Sequence, residues 1–109
     1  MRTLKFIVEG LIIKQDPNCD FENLVPGTDG YLEAEFTFSD EWNGFVKAAS
    51  FFSPLGFEYP ARLLRNGVVC DIPKEALAKR SFKIQIVGQC GSITMHTDKV
   101  EVKQNGGKV

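Results

Sequence analysis

The chain has 109 residues, 43% hydrophobic and 25% charged, with thirteen Lys and Arg against fourteen Asp and Glu for a net charge of -1. That length suits one domain with one modest core, and the balance excludes disordered, collagen-like and coiled-coil classes. Near-neutrality also excludes a strong basic footprint for nucleic acid and a heavily acidic mimic of it. No segment approaches the roughly 20 consecutive apolar residues of a membrane span.

The opening stretch, Met1 to Lys14, carries two early basic residues and an apolar run. Glu9-Gly10 interrupts that run and no small-residue cleavage site follows, so it reads as a strand from Thr3 and not as a signal peptide. The chain is therefore expected to stay in the cytoplasm that makes it. Cys19, Cys70 and Cys90 are isolated, odd in number and spaced for neither a disulfide framework nor a zinc ribbon. They are expected as reduced thiols, Cys70 and Cys90 mainly as packing residues.

Period-2 alternation dominates. Leu4, Phe6 and Val8 alternate with Lys5, Ile7 and Glu9, and Gly10 permits a bend or bulge before Leu11, Ile12 and Ile13. Tyr31 to Phe38 is the clearest strand. Leu32, Ala34, Phe36 and Phe38 line one face and Glu33, Glu35 and Thr37 the other, the pattern of an antiparallel sheet with one wet face. Phe45 to Phe52 is a strand with apolar residues on both parities, so its inward face stays open. Ser53-Pro54-Leu55-Gly56 turns the chain.

Phe57, Tyr59, Ala61 and Leu63 are expected to share a face opposite Glu58, Pro60 and Arg62, with Pro60 at an edge or bulge. Asn66-Gly67 is the strongest hairpin signal, since a type I′ turn needs positive φ at both central residues. Val68 to Ile72 is the return strand. Pro73 to Lys79 reads as one or two helical turns, with Pro at the first helical position. Phe82, Ile84 and Ile86 begin the next strand, which Gly88 to Gly91 is expected to close. Ser92 to Lys103 supplies the last.

About seven or eight short strands with turn chemistry between them predict an all-β, antiparallel, immunoglobulin-like sandwich, with a small closed barrel as the second choice. Residues 1–104 form the expected single domain, and 105–109 a frayed tail.

Chemistry-bearing residues are sparse. His96 is the single histidine; with Asp98 on the same strand parity it could serve a nucleophile, or both could simply face solvent beside Thr94. No G-x-S-x-G elbow supports the first reading. One histidine and three scattered thiols make a poor metal site. The carboxylate pairs (Asp16 with Asp20, Asp40 with Glu41, Glu33 with Glu35) fit turn and surface roles. No phosphate-binding glycine pattern occurs. These features predict no catalytic residue, no metal and no cofactor.

Binding features carry more. Asp16 to Gly30 is long for a loop in a compact domain, and long loops are often functional. Its Phe21, Leu24 and Val25 either tuck over one end of the sandwich or dock on a partner.

A resemblance begins at Phe38-Ser39-Asp40-Glu41-Trp42-Asn43-Gly44. It continues through Lys47 to Phe51, Cys70-Asp71-Ile72-Pro73-Lys74-Glu75-Ala76-Leu77, Phe82-Lys83-Ile84 to Gly88, and Thr97-Asp98-Lys99-Val100-Glu101-Val102. Over Thr3 to Lys103 the chain resembles small β-sandwich domains of tailed bacteriophages and prophages of Gram-positive bacteria, found alone or at the start of head-fibre and tail-associated proteins. It departs at Asp98, where asparagine is usual, and in the Asp16 to Gly30 loop. Each shared element also has a folding role. Trp42 lies where a strand turns a corner, and burying most of an indole stabilises by roughly 2–3 kcal/mol.

The resemblance implies a non-enzymatic virion component, a head decoration, head-fibre base or tail-associated protein. It would act through contacts with other virion proteins or with itself, as a homotrimer for example. The alternative is a phage anti-defence protein that binds a host immune effector or sequesters a signalling nucleotide. Tyr59 or Phe57 would then stack a base, and Arg62, Arg65 or Arg80 would hold a phosphate.

Overall fold

The computed structural model describes residues 1–104, so the frayed tail expected over 105–109 lies outside the described residues. Among the described residues are nine strands: β1 (Arg2–Glu9), β2 (Ile12–Gln15), β3 (Leu32–Phe38), β4 (Val46–Phe52), β5 (Arg62–Leu63), β6 (Val69–Asp71), β7 (Ser81–Cys90), β8 (Ile93–His96) and β9 (Val100–Lys103). A 3-10 turn at Asp40–Trp42 precedes β4, and one short helix, α1 (Lys74–Leu77), precedes β7. The strands form an all-β sandwich of two sheets. The first is ordered β2-β1-β3-β6 and the second β5-β4-β7-β8, with β9 also paired to β7.

Alternation decides which side of each strand is buried. Leu4, Phe6 and Val8 of β1, Leu32, Ala34 and Phe36 of β3, and Phe82, Ile84 and Ile86 of β7 all point into one shared core. Phe6 stacks on Phe36 with ring centroids 5.4 Å apart, and Phe51 meets Phe82 at 6.3 Å. Each buried Phe contributes roughly 1.5–3 kcal/mol. Glu33, Glu35 and Thr37 take the opposite face, as their parity predicts.

Direction was not readable from the same pattern. β1 and β3 pair in parallel, from Arg2 opposite Leu32 to Val8 opposite Phe38, within an otherwise antiparallel molecule. Alternation is identical for both pairings; the distinguishing signal is connection length, because a parallel partner needs a crossover of a dozen or more residues. The long loop after Gln15 is that crossover. It passes the start of β1, where the Arg2 guanidinium donates to the Asp20 and Glu22 carbonyls at 2.8 Å each.

Three further expectations change. The face shared by Phe57, Tyr59, Ala61 and Leu63 does not form. Pro60 cannot donate to a ladder, and β5 shrinks to Arg62–Leu63, with Tyr59 buried while Phe57 and Leu63 are exposed. The closure expected over Gly88 to Gly91 comes only at its end, with β7 continuing to Cys90 and Gly91 in the turn. A Cβ at Gly88 would lie 2.7 Å from the Trp42 ring, so the glycine makes room for the indole. Ser92 to Lys103 is two strands, because Thr97 to Lys99 bulge out between His96, opposite Val87, and Val100, opposite Ile84.

The Asn66-Gly67 turn has φ of 53° and 73° as a type I′ turn requires, and the Val68 N–H donates to the Arg65 carbonyl at 3.0 Å. The Phe38 to Gly44 motif is a corner brace. Trp42 Nε1 donates to the Gly10 carbonyl at 2.8 Å, and the Gly10 N–H donates to Ser39 Oγ at 2.9 Å. Both bonds hold the β1–β2 turn against the corner leading into β4. A hydrogen bond from the Ser39 side chain holds the Glu41 carboxyl below its usual pKa.

Candidate functional site

His96 and Asp98 are not a pair. His96 is exposed on β8, Thr97 between them is buried, and Asp98 sits on the bulge. There Asp98 Oδ1 accepts from the Ile13 N–H at 2.9 Å, while the Asp98 N–H donates to the Leu11 carbonyl at 2.9 Å. Thr97 fills the gap in the ladder, its Oγ1 accepting from the Ile86 N–H at 3.0 Å. Thr97 and Asp98 thus clasp the two sheets along one side. The atom that Asp98 uses there is an oxygen that asparagine also carries. Cys70 is buried, Cys19 half-buried and Cys90 exposed, all as free thiols, and burial pushes the Cys70 thiol up to about 12. Exposure of Cys90 corrects its expected packing role.

The long loop divides its apolar residues. Leu24 is buried in the protein's own core, and Phe21 packs edge-on against Phe6 at 5.4 Å. Leu24 is therefore withdrawn as an interface residue and Phe21 is largely committed inward, because a side chain packed in the chain's own core has no surface left to offer a partner. Only Val25 of the three is exposed and apolar.

Of the ligand residues named for the nucleotide alternative, Arg62 and Arg65 both come close to Asp71. Tyr59 is buried, with Phe57 edge-on to it at 5.9 Å. Arg65 bridges Glu33 and Asp71 at 3.5 Å each. Arg62 and Lys74 line a cleft of about 280 Å³ together with three carboxylates, Asp29, Asp71 and Glu75, which repel a phosphate. Arg80 lies between α1 and β7, its carbonyl accepting from the Gln104 N–H.

The two outer faces differ at the Val46 end of the second sheet; beside Phe52 that sheet also carries Lys83 and Glu101. The face of the first sheet presents Lys5, Glu9, Lys14, Glu33, Glu35 and Asp71 around Ile7 and Ile12 and is mainly charged. On the second sheet, register places Leu63, Ala48, Val87 and His96 in one outward row and Val46, Gln89 and Thr94 in the next. Neither row contains a carboxylate, an ammonium or a guanidinium.

Val46, Ala48, Leu63 and Val87, with Gly88, Gln89 and Gly91, line a groove of about 500 Å³. Lys47 also lines it, but its ammonium turns away, donating to the Trp42 and Phe45 carbonyls and lying 5.0 Å over the Phe38 ring. Val46 is 66% and Leu63 68% exposed. Farther along the same face Phe52 is buried, with Lys99 Nζ 3.9 Å from its ring centroid. So the outward apolar residues of β4 are covered at one end and bare at the other. Sequence reasoning missed this groove, though apolar residues on both parities of Phe45 to Phe52 were its signal.

A second unpartnered feature lies beyond the covered end of β4. Leu55 is 98% and Phe57 70% exposed on the turn that follows Phe52. The turn is locked: the Ser53 N–H donates to the Phe57 carbonyl at 2.8 Å, the Phe57 N–H to Ser53 Oγ at 3.0 Å, and the Gly56 N–H to the Ser53 carbonyl at 2.9 Å. Gly56 has φ +90°, a value that favours glycine.

Among the described residues, no three His, Cys, Asp or Glu side chains converge as metal ligands, and no helix is long and apolar enough to cross a membrane. No protein-family model matches the chain, and no curated protein matches it.

Proposed function

We propose that the protein is a non-enzymatic contact module of a phage particle, a head-decoration, head-fibre-base or tail-associated component acting through protein–protein contacts. The observation that carries the contact reading is the apolar groove of Val46, Ala48, Leu63 and Val87 across β5, β4 and β7, from which the Lys47 ammonium turns away. Interface cores are depleted of charge in this way, whereas a solvated sheet face resembles the first sheet's. The particle assignment draws support from the resemblance over Thr3 to Lys103, carried by the Trp42 corner and the Ile72-Pro73 step.

Mass spectrometry of purified particles tests it. The chain should be present in stoichiometric copies. Absence from the particle together with synthesis early in infection would overturn the assignment and favour an antagonist of host defence.

A further inference from the structure

We infer that, among the described residues, Asn43 is the asparagine that deamidates in the folded chain, while Asn66, which carries the same Asn-Gly sequence, is shielded by its hairpin. The step is intramolecular. The Gly44 backbone nitrogen bonds to Asn43 Cγ, and the side-chain amide nitrogen leaves as ammonia with the proton that Gly44 gives up. Solvent water then opens the resulting succinimide at either carbonyl, leaving aspartate or isoaspartate.

As dipeptides the two sites are equal, since glycine has no side chain to hinder the attack. Asn18 and Asn23 precede Cys19 and Leu24, whose side chains do hinder it. Three observations separate Asn43 from Asn66. Backbone direction is the first. Asn66 is left-handed, with φ 53°, and in a type I′ turn the next nitrogen stands nearly opposite Cβ across the Cα–C bond, far from Cγ. Asn43 has φ -62° and ψ 133°, which sets the Gly44 nitrogen nearer the side chain, roughly at a right angle to Cβ. Hydrogen bonding is the second, because attack requires the peptide unit to swing. Three bonds hold the hairpin turn: Arg65 N–H to the Val69 carbonyl at 2.7 Å, and Val68 and Val69 N–H to the Arg65 carbonyl at 3.0 and 3.1 Å. Across Asn43-Gly44 the backbone bond is that of the Phe45 N–H to the Trp42 carbonyl, at 3.2 Å. Lys47 Nζ also reaches the Trp42 and Phe45 carbonyls, but on a flexible stem that follows them. Access is the third. A Cβ built on Gly67 would meet Lys47 Nζ at 3.6 Å, whereas one on exposed Gly44 would meet nothing within 4 Å.

Tryptic peptide mapping of the folded chain after incubation in mildly alkaline buffer, beside a sample incubated in urea, provides the test. Asn43, Asn66 and Asn105 fall in separate peptides, because cleavage follows Lys47, Arg65 and Lys103. Asn105-Gly106 lies outside the described residues and does not enter the comparison. In the folded chain the mass gain of deamidation should accumulate at Asn43 about tenfold faster than at Asn66, or more, the extra hairpin bonds setting the ratio. In urea both turns are lost, and the two sites should react at similar rates.

Asn66 reacting as fast as Asn43 in the folded chain would overturn the inference. So would an Asn43 that stays intact when folded yet reacts in urea, or an Asn43 that outpaces Asn66 equally in both samples, since the difference would then owe nothing to the fold.

Discussion

At the scale of single residues, the corner brace makes the sharpest claims. Gly88→Ala drives a Cβ into the Trp42 ring at 2.7 Å, so one of them must shift. Overpacking of this kind costs about 1–3 kcal/mol, and a urea titration should show the midpoint falling with little change in slope. Asp98→Asn should be nearly neutral, because it keeps the oxygen that accepts from Ile13. Asp98→Ala should cost about 1 kcal/mol in the same titration.

Cys70 gives a pH dependence. Its folded pKa of about 12 stands above the ordinary 9.0, so from pH 9 upward the unfolded chain releases a proton that the folded chain retains. Stability is therefore fully supported below pH 9 and falls as pH rises towards 12. Comparing wild type with Cys70→Ala should show a shallower alkaline decline in the variant. Trp42 could be singled out from sequence because its motif is compact. Gly88 could not, because its reason is a side chain forty-six positions away, and so it read as a turn residue.

Among elements, β4 holds the most information and gave up only half of it to sequence reading. Ala49 and Phe51 point to the core while Val46, Ala48 and Phe52 point out, and the pattern does not say which parity is which. Both apolar parities together mean a strand meant to be covered on both sides. β5 failed as a long strand for a local reason, Pro60, whereas the Ser92 to Lys103 segment broke for a distant one, the bond from Asp98 to the Ile13 backbone.

α1 shows a third kind of dependence. Gln104 is buried, and its Nε2 donates to the Leu77 and Lys79 carbonyls at 2.9 and 2.8 Å, tying the end of the helix to the end of the last strand. Gln104→Ala leaves both carbonyls without that donor and should cost about 1–3 kcal/mol in a thermal or urea melt. Alternation marks strands; it carries no trace of a glutamine that reaches a helix twenty-seven positions earlier.

On the scale of the whole molecule, the all-β class and the buried parity of β1, β3 and β7 were legible because a sheet with one wet face writes itself as period 2. The parallel pairing of β1 with β3 was legible only indirectly, through the long crossover that carries Phe21 and Leu24 over the end of the core. The groove was hidden because Leu63 and Val46 look like core residues until the register of β4, β5 and β7 sets them outward.

The account therefore rests on a contrast between the first sheet's charged outer face and the uncharged Val46 end of the second sheet, whose other end carries Lys83 and Glu101. Mass spectrometry of purified particles formed with wild type, Leu63→Asp or Glu35→Lys tests it most directly, since the substitutions alter one face each. Wild type and Glu35→Lys should be incorporated alike while Leu63→Asp is not. Incorporation lost in Glu35→Lys but retained in Leu63→Asp would contradict it.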